Sequence, residues 1–101
     1  MPHFLYRLIP PRPTFPFDMT DGERAVMATH GSYWSELTEQ GTCAIFGPVL
    51  DPQDPWGLAI VEAETEGAAK AVFDADPAVT SGTCTFRFAP MHVAGMRQAG
   101  S

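Results

Sequence analysis

Basic residues are scarce in this chain. Six lysines and arginines stand against twelve acids in 101 residues, a formal charge of −6. The six (Arg7, Arg12, Arg24, Lys70, Arg87 and Arg97) are scattered and form no stripe. Nucleic acid and anionic membrane are therefore excluded as main partners, because either needs a basic patch. No apolar run approaches the length of a bilayer-spanning helix. Arg7, Pro10 and Pro11 interrupt the N-terminal apolar stretch too early for a signal-peptide core, so a cytoplasmic location is the default expectation. There are three histidines, His3, His30 and His92, in three separate segments, and no His/Cys pair has ligand spacing. Neither a metal site nor a cofactor is expected. A glycine-rich phosphate loop is also lacking.

What is present describes a folded globule. The sequence is 45% hydrophobic and only 18% charged, and its length suits one domain with one modest core. That domain is expected over residues 1–90, with a polar, mobile tail over 91–101.

The run Phe4-Leu5-Tyr6-Arg7-Leu8-Ile9 is aromatic and branched and reads as a first strand. Pro10 to Phe17, with four prolines, reads as a stiff extended connector or a lid, neither helix nor central strand. Thr20-Asp21-Gly22-Glu23 matches a capping box and opens a helix that runs to about Gln40, where Gly41 supplies a left-handed stop. Thr42 to Phe46 reads as a second strand closed by a Gly47-Pro48 turn, and Trp56 to Ala63 as a third after a proline-rich loop. Thr65 caps a second helix with Ala68, Ala69, Val72 and Phe73 as its buried stripe, ending near Ala75 because Pro77 follows. Thr83 to Phe88 reads as the last strand.

The order β-α-β-β-α-β predicts an α+β, ferredoxin-like antiparallel sheet with both helices on one face. Strands one and three are then central, and strands two and four form the edges. Cys43 and Cys84 fall on opposite edges, so they do not meet the separation of roughly 7 Å that a disulfide requires. One helix layer covers only one face of the sheet, yet the strands carry apolar residues on both sides. The uncovered face predicts a homodimer packed through it.

His30 is the residue that stands out. Val26, Met27, Tyr33, Trp34 and Leu37 form one apolar helical stripe, and His30 fills the vacant place in it. A histidine there needs a hydrogen-bond partner, or loses about 1–3 kcal/mol to desolvation. A backbone carbonyl would suffice, making it a core residue. A histidine also titrates near neutral pH, so the same position suits proton transfer. The fold puts Asp76, in Asp74-Ala75-Asp76-Pro77, on the same side of the sheet. Asp before Pro caps a short helical turn, and a carboxylate within reach of His30 would fix its tautomer and orient it as a base. Phe15, Tyr33 and Trp34 are candidates for an aromatic substrate pocket, with Gly47 and Pro48 bringing backbone close to a ligand. Each has a bland counterpart: aromatics at helical spacing build cores, and Gly-Pro makes turns.

Thr29-His30-Gly31-Ser32-Tyr33-Trp34-Ser35-Glu36-Leu37, Gly41, Phe46-Gly47-Pro48-Val49-Leu50, Trp56-Gly57-Leu58 and Asp74-Ala75-Asp76-Pro77 together resemble the YciI-related (YCII) family. The resemblance spans roughly residues 3 to 90. It implies the dimeric α+β barrel superfamily, in which two ferredoxin-like subunits pack sheet to sheet. It also implies a small-molecule enzyme with a histidine–aspartate pair in a pocket, here His30 and Asp76. Some relatives are assigned to dehydrochlorination of hydroxylated aromatics. Many relatives resemble an Arg-x-x-His-Leu pattern, whereas this chain has Met27-Ala28-Thr29-His30-Gly31. Arg24, two turns away in the same helix, does not take that place.

The function expected on these grounds is general acid/base chemistry of elimination, isomerisation or hydrolysis type on a small, aromatic or enolisable substrate, without a cofactor. The alternative is a non-catalytic dimeric module that binds a metabolite or a partner domain. A cofactor-free oxygenase shares the fold but has no diagnostic residue here. A cavity above a hydrogen-bonded His30–Asp76 pair separates the first reading from the second.

Overall fold

The alternation in the first strand sets the whole architecture. In a computed structural model describing residues 1–97, β1 spans His3–Ile9 and buries Phe4, Tyr6 and Leu8 while turning His3, Leu5, Arg7 and Ile9 to the other side. Antiparallel neighbours flank it: β3 (Trp56–Glu62) on one side and β4 (Thr85–Met91) on the other. β2 (Cys43–Val49) pairs antiparallel with the far side of β3, giving the order β2-β3-β1-β4. β1 and β3 are thus central, as the sequence pattern implies.

The helices cover one face of this sheet. α2 (Asp21–Glu39) opens on the full capping box, the Thr20 hydroxyl accepting from the Glu23 N–H while the Glu23 carboxylate accepts from the Thr20 N–H. Gly41, at φ +85°, terminates its turn as a left-handed residue. α3 (Glu66–Asp74) starts at Thr65, whose hydroxyl accepts from the Ala68 N–H. Trp34 of α2 and Ala69 and Phe73 of α3 close over Phe4, Tyr6, Leu8, Ala59 and Val61 of the sheet. Tyr6 lies at the centre of this aromatic packing, stacked on Phe73 at 4.7 Å between ring centroids and tilted against Trp34 at 5.1 Å.

Three local expectations need correction. Pro10–Phe17 is not wholly extended, since Phe15–Asp18 forms a short helix, α1. Pro16 falls in its first turn, where a missing N–H costs nothing, and the Phe17 and Asp18 N–H groups both donate to the Thr14 carbonyl. Arg12 holds the segment in place, reaching Asp18 on one side and the Glu23 carboxylate of α2 on the other. Its guanidinium, helped by the Thr20 N–H, keeps the Glu23 carboxyl down to about 2.

Gly47-Pro48 is not a turn. β2 runs through it to Val49, with Pro48 opposite Gly57, because a proline without a donor is tolerated on an edge strand. β4 likewise begins two residues later than its apolar run suggests, so Cys84 lies just before the strand, and it continues through Pro90 to Met91. The tail expected from Met91 onwards therefore gives up its first residue to the sheet, and residues 98–101 lie outside the described part.

The face of the sheet away from the helices carries Leu5, Ile45, Val49, Leu58 and Ile60 from three adjacent strands. Ile45 is 58% exposed there. Cys43 and Cys84 are both free and buried.

Candidate active site

The site is assembled around a carboxylate at a helix start. α4 (Pro77–Thr80) has Asp76 as its N-cap, whose Oδ1 accepts from the Ala78 N–H at 2.9 Å. Asp76 is fully buried, the one charged residue in the core among the described residues. Three further donors converge on it from distant parts of the chain. The Tyr6 hydroxyl of β1 donates to Oδ2 at 2.7 Å, and the Trp34 indole N–H of α2 to the same oxygen at 2.9 Å. His30 Nδ1 lies 2.8 Å from Oδ1 and 3.0 Å from Oδ2. His30 and Trp34 are four residues apart on one face of α2, which is why both reach the same group.

Electrostatics follow from this network. Burial alone would push the Asp76 carboxyl up, but the hydrogen bonds from His30, Trp34 and Tyr6 outweigh it and hold the group below the ordinary carboxylate range. Burial and the adjacent Asp76 charge push the Tyr6 hydroxyl far up, so it remains a donor. An ionised carboxylate only accepts, so Nδ1 carries a proton, and in the neutral form of the ring the lone pair is at Nε2. Nε2 has no hydrogen-bond partner among the described residues. The His30 side chain remains 17% exposed.

A depressed folded-state value means that Asp76 contributes its full stabilisation above the ordinary carboxyl value near 4, and loses it as pH falls through the lower folded value. Denaturant midpoints measured down an acid series should therefore show the gap between wild type and Asp76→Asn closing below about pH 4. A gap that stays constant to the acid limit would contradict an ionised Asp76.

Above the imidazole lies a cavity of about 410 Å³ between α2, α1 and the β2–β3 half of the sheet. Phe15, Trp34, Gly47 and Pro48 are on its wall together with His30. Tyr33 is not. It lies on the other side of the α2 stripe, edge-on to Trp34, and its hydroxyl donates to the Val72 carbonyl of α3 at 2.6 Å. Asp76 is sealed behind His30 rather than exposed to the cavity, so it touches the ring and not a ligand.

Tyr6 and Cys84 are among the wall residues that were not expected from the sequence. Tyr6 carries a signal that was available, since a tyrosine on the buried face of a central strand must place its hydroxyl somewhere. Cys84 carries none. Its thiol is pushed up to about 11 by burial and by the nearby charges of Asp76 and Glu23, which makes it a poor nucleophile. Among the described residues no three His, Cys, Asp or Glu side chains gather as a metal cluster, and no helix is long and apolar enough to cross a membrane.

A model of the YCII-related domain matches residues 4–91, from β1 to the last residue of β4. The chain belongs to the YCII-related family. The matched span contains every residue of the Asp76 network. Among solved structures, this YCII-related domain is similar to 5-chloro-2-hydroxyhydroquinone dehydrochlorinase from Burkholderia phenoliruptrix, in complex with 2,5-dihydroxybenzoquinone. The two are 20% identical with a TM-score of 0.65, over 91% of this chain and 94% of that one. That likeness shows the α+β fold. No curated protein matches the YCII-related sequence.

Proposed function

We propose that this YCII-related domain is a small-molecule enzyme in which His30 acts as general base and then acid. The observation that carries the reading is a buried carboxylate on Nδ1 of an imidazole that opens, at Nε2, onto an apolar cavity. Asp76 is a positioning residue. It fixes the tautomer and compensates the imidazolium that forms when Nε2 takes a proton. Elimination or isomerisation needs no more than such a base in an apolar pocket, hydrolysis needs in addition a water admitted beside Nε2, and no cofactor is required.

Phe15, Trp34, Gly47 and Pro48 form the substrate wall in this reading, and a ring compound fits the volume. The dehydrochlorinase of like fold supports the same substrate size, because it is in complex with a dihydroxylated quinone. A panel of hydroxylated and halogenated aromatics, followed by absorbance and halide release, tests the proposal. Wild type should turn over at least one member that His30→Ala leaves untouched. Equal rates for the two proteins would remove His30 from the chemistry.

The working form is proposed to be a homodimer through the open sheet face. Leu5, Ile45, Val49, Leu58 and Ile60 support this, as an apolar patch drawn from three adjacent strands. Light scattering at micromolar concentration should give twice the mass of the chain. A monomer would refute the dimer and leave the His30 assignment untouched.

A further inference from the structure

The cavity wall has no charge to offer a ligand. Among the residues that line it there is no Lys, Arg, Asp or Glu. Its polar side-chain groups are the His30 imidazole, the Tyr6 hydroxyl and Trp34 indole N–H, both given to Asp76, the Trp56 indole N–H and the Cys84 thiol, none of them carrying a fixed charge. Two guanidiniums lie against rings of wall residues, but each is already paired with carboxylates: Arg7 over Trp56 and with Asp54, Arg12 over Phe15 and with Asp18 and Glu23. An anion entering this space would lose its hydration without gaining a cation. It would also stand over the buried Asp76 carboxylate, separated from it only by the imidazole ring. An uncharged molecule meets neither penalty.

We infer that the pocket takes its substrate in uncharged form, as a neutral carbon or oxygen acid on a small ring, and that the anion arises only inside. The inference rests on reading this cavity as the substrate site. In the step it implies, the substrate C–H or O–H bond breaks, the proton goes to His30 Nε2, and the electron pair stays on the substrate. The imidazolium so formed supplies the cation that the wall lacks, and the net charge of the complex does not change. An anion arriving preformed finds a neutral imidazole lone pair instead.

Benzamide and benzoate, of the same shape and different charge, provide the test. Both tryptophans of the chain, Trp34 and Trp56, are on the cavity wall, so intrinsic fluorescence reports entry. At about pH 8.5 benzamide should bind wild type at least about tenfold more tightly than benzoate. Leu50→Lys places an ammonium on the rim at a position 81% exposed in the fold, and Met27→Lys places one on the wall a helical turn before His30. Each should raise benzoate affinity with little change for benzamide. Benzoate binding wild type as tightly as benzamide would overturn the inference, as would absence of benzamide binding up to about 10 mM. Such a result leaves the base assignment standing. That assignment fails separately, through unchanged turnover in a His30→Gln variant, in which the benzamide preference should persist because Asp76 and the rest of the wall are intact and the new side chain is uncharged.

Discussion

Asp76→Ala is expected to destabilise the fold by about 3–5 kcal/mol, a large share of the stability of a domain this size. The residue is fully buried and accepts from Tyr6, His30, Trp34 and the Ala78 backbone. Removing it strands four donors at once. Each unpaired buried group costs about 1–3 kcal/mol, reduced where water enters the space left behind. The first turn of α4 also loses its cap. Asp76→Asn keeps the shape and one acceptor oxygen but turns amide hydrogens toward donors, so an intermediate loss is expected. Urea denaturation reads both variants. A midpoint for Asp76→Ala within error of wild type would mean that the converging hydrogen bonds contribute no net stability.

The second large effect is catalytic. His30→Gln should reduce kcat/KM by about 10²–10⁴-fold on any substrate found in the panel, with the loss mainly in kcat. Glutamine carries an amide N–H that can donate to Asp76 as Nδ1 does, but it has no basic lone pair to present to the cavity. Stability should therefore change little while rate falls. A loss confined to KM would make His30 a binding group rather than a base. Taken together, the two variants separate the roles of the pair: the aspartate variant damages the fold, and the histidine variant damages the chemistry.

Much of this site was legible in the sequence because its parts are local patterns. The α2 stripe put His30 on the buried face, and the capping box fixed where that helix begins. Asp-Pro marked Asp76 as a cap, and the strand–helix order put both on one side of the sheet. Side-chain destinations set by long-range packing were less legible. Tyr33 and Trp34 are adjacent in the same stripe, and only the seating of α2 on the sheet decides that Trp34 turns to the cavity and Tyr33 to α3. Whether Gly47-Pro48 turns or continues as a strand depends on β2 being an edge, which no local residue states. The α1 helix depends on Arg12 meeting Glu23 eleven residues away.

The distances along the chain within the Asp76 network bear on when that network forms. Tyr6, His30 and Trp34 are 70, 46 and 42 residues from the carboxylate they share. Bringing such remote segments together is entropically late work, after local helices and hairpins have formed. An unfinished chain has a histidine and an aspartate but no dyad. On the proposed reading of His30 as a base, proton-transfer competence arrives with the last long-range contacts, and a partly folded or nascent chain carries no oriented base.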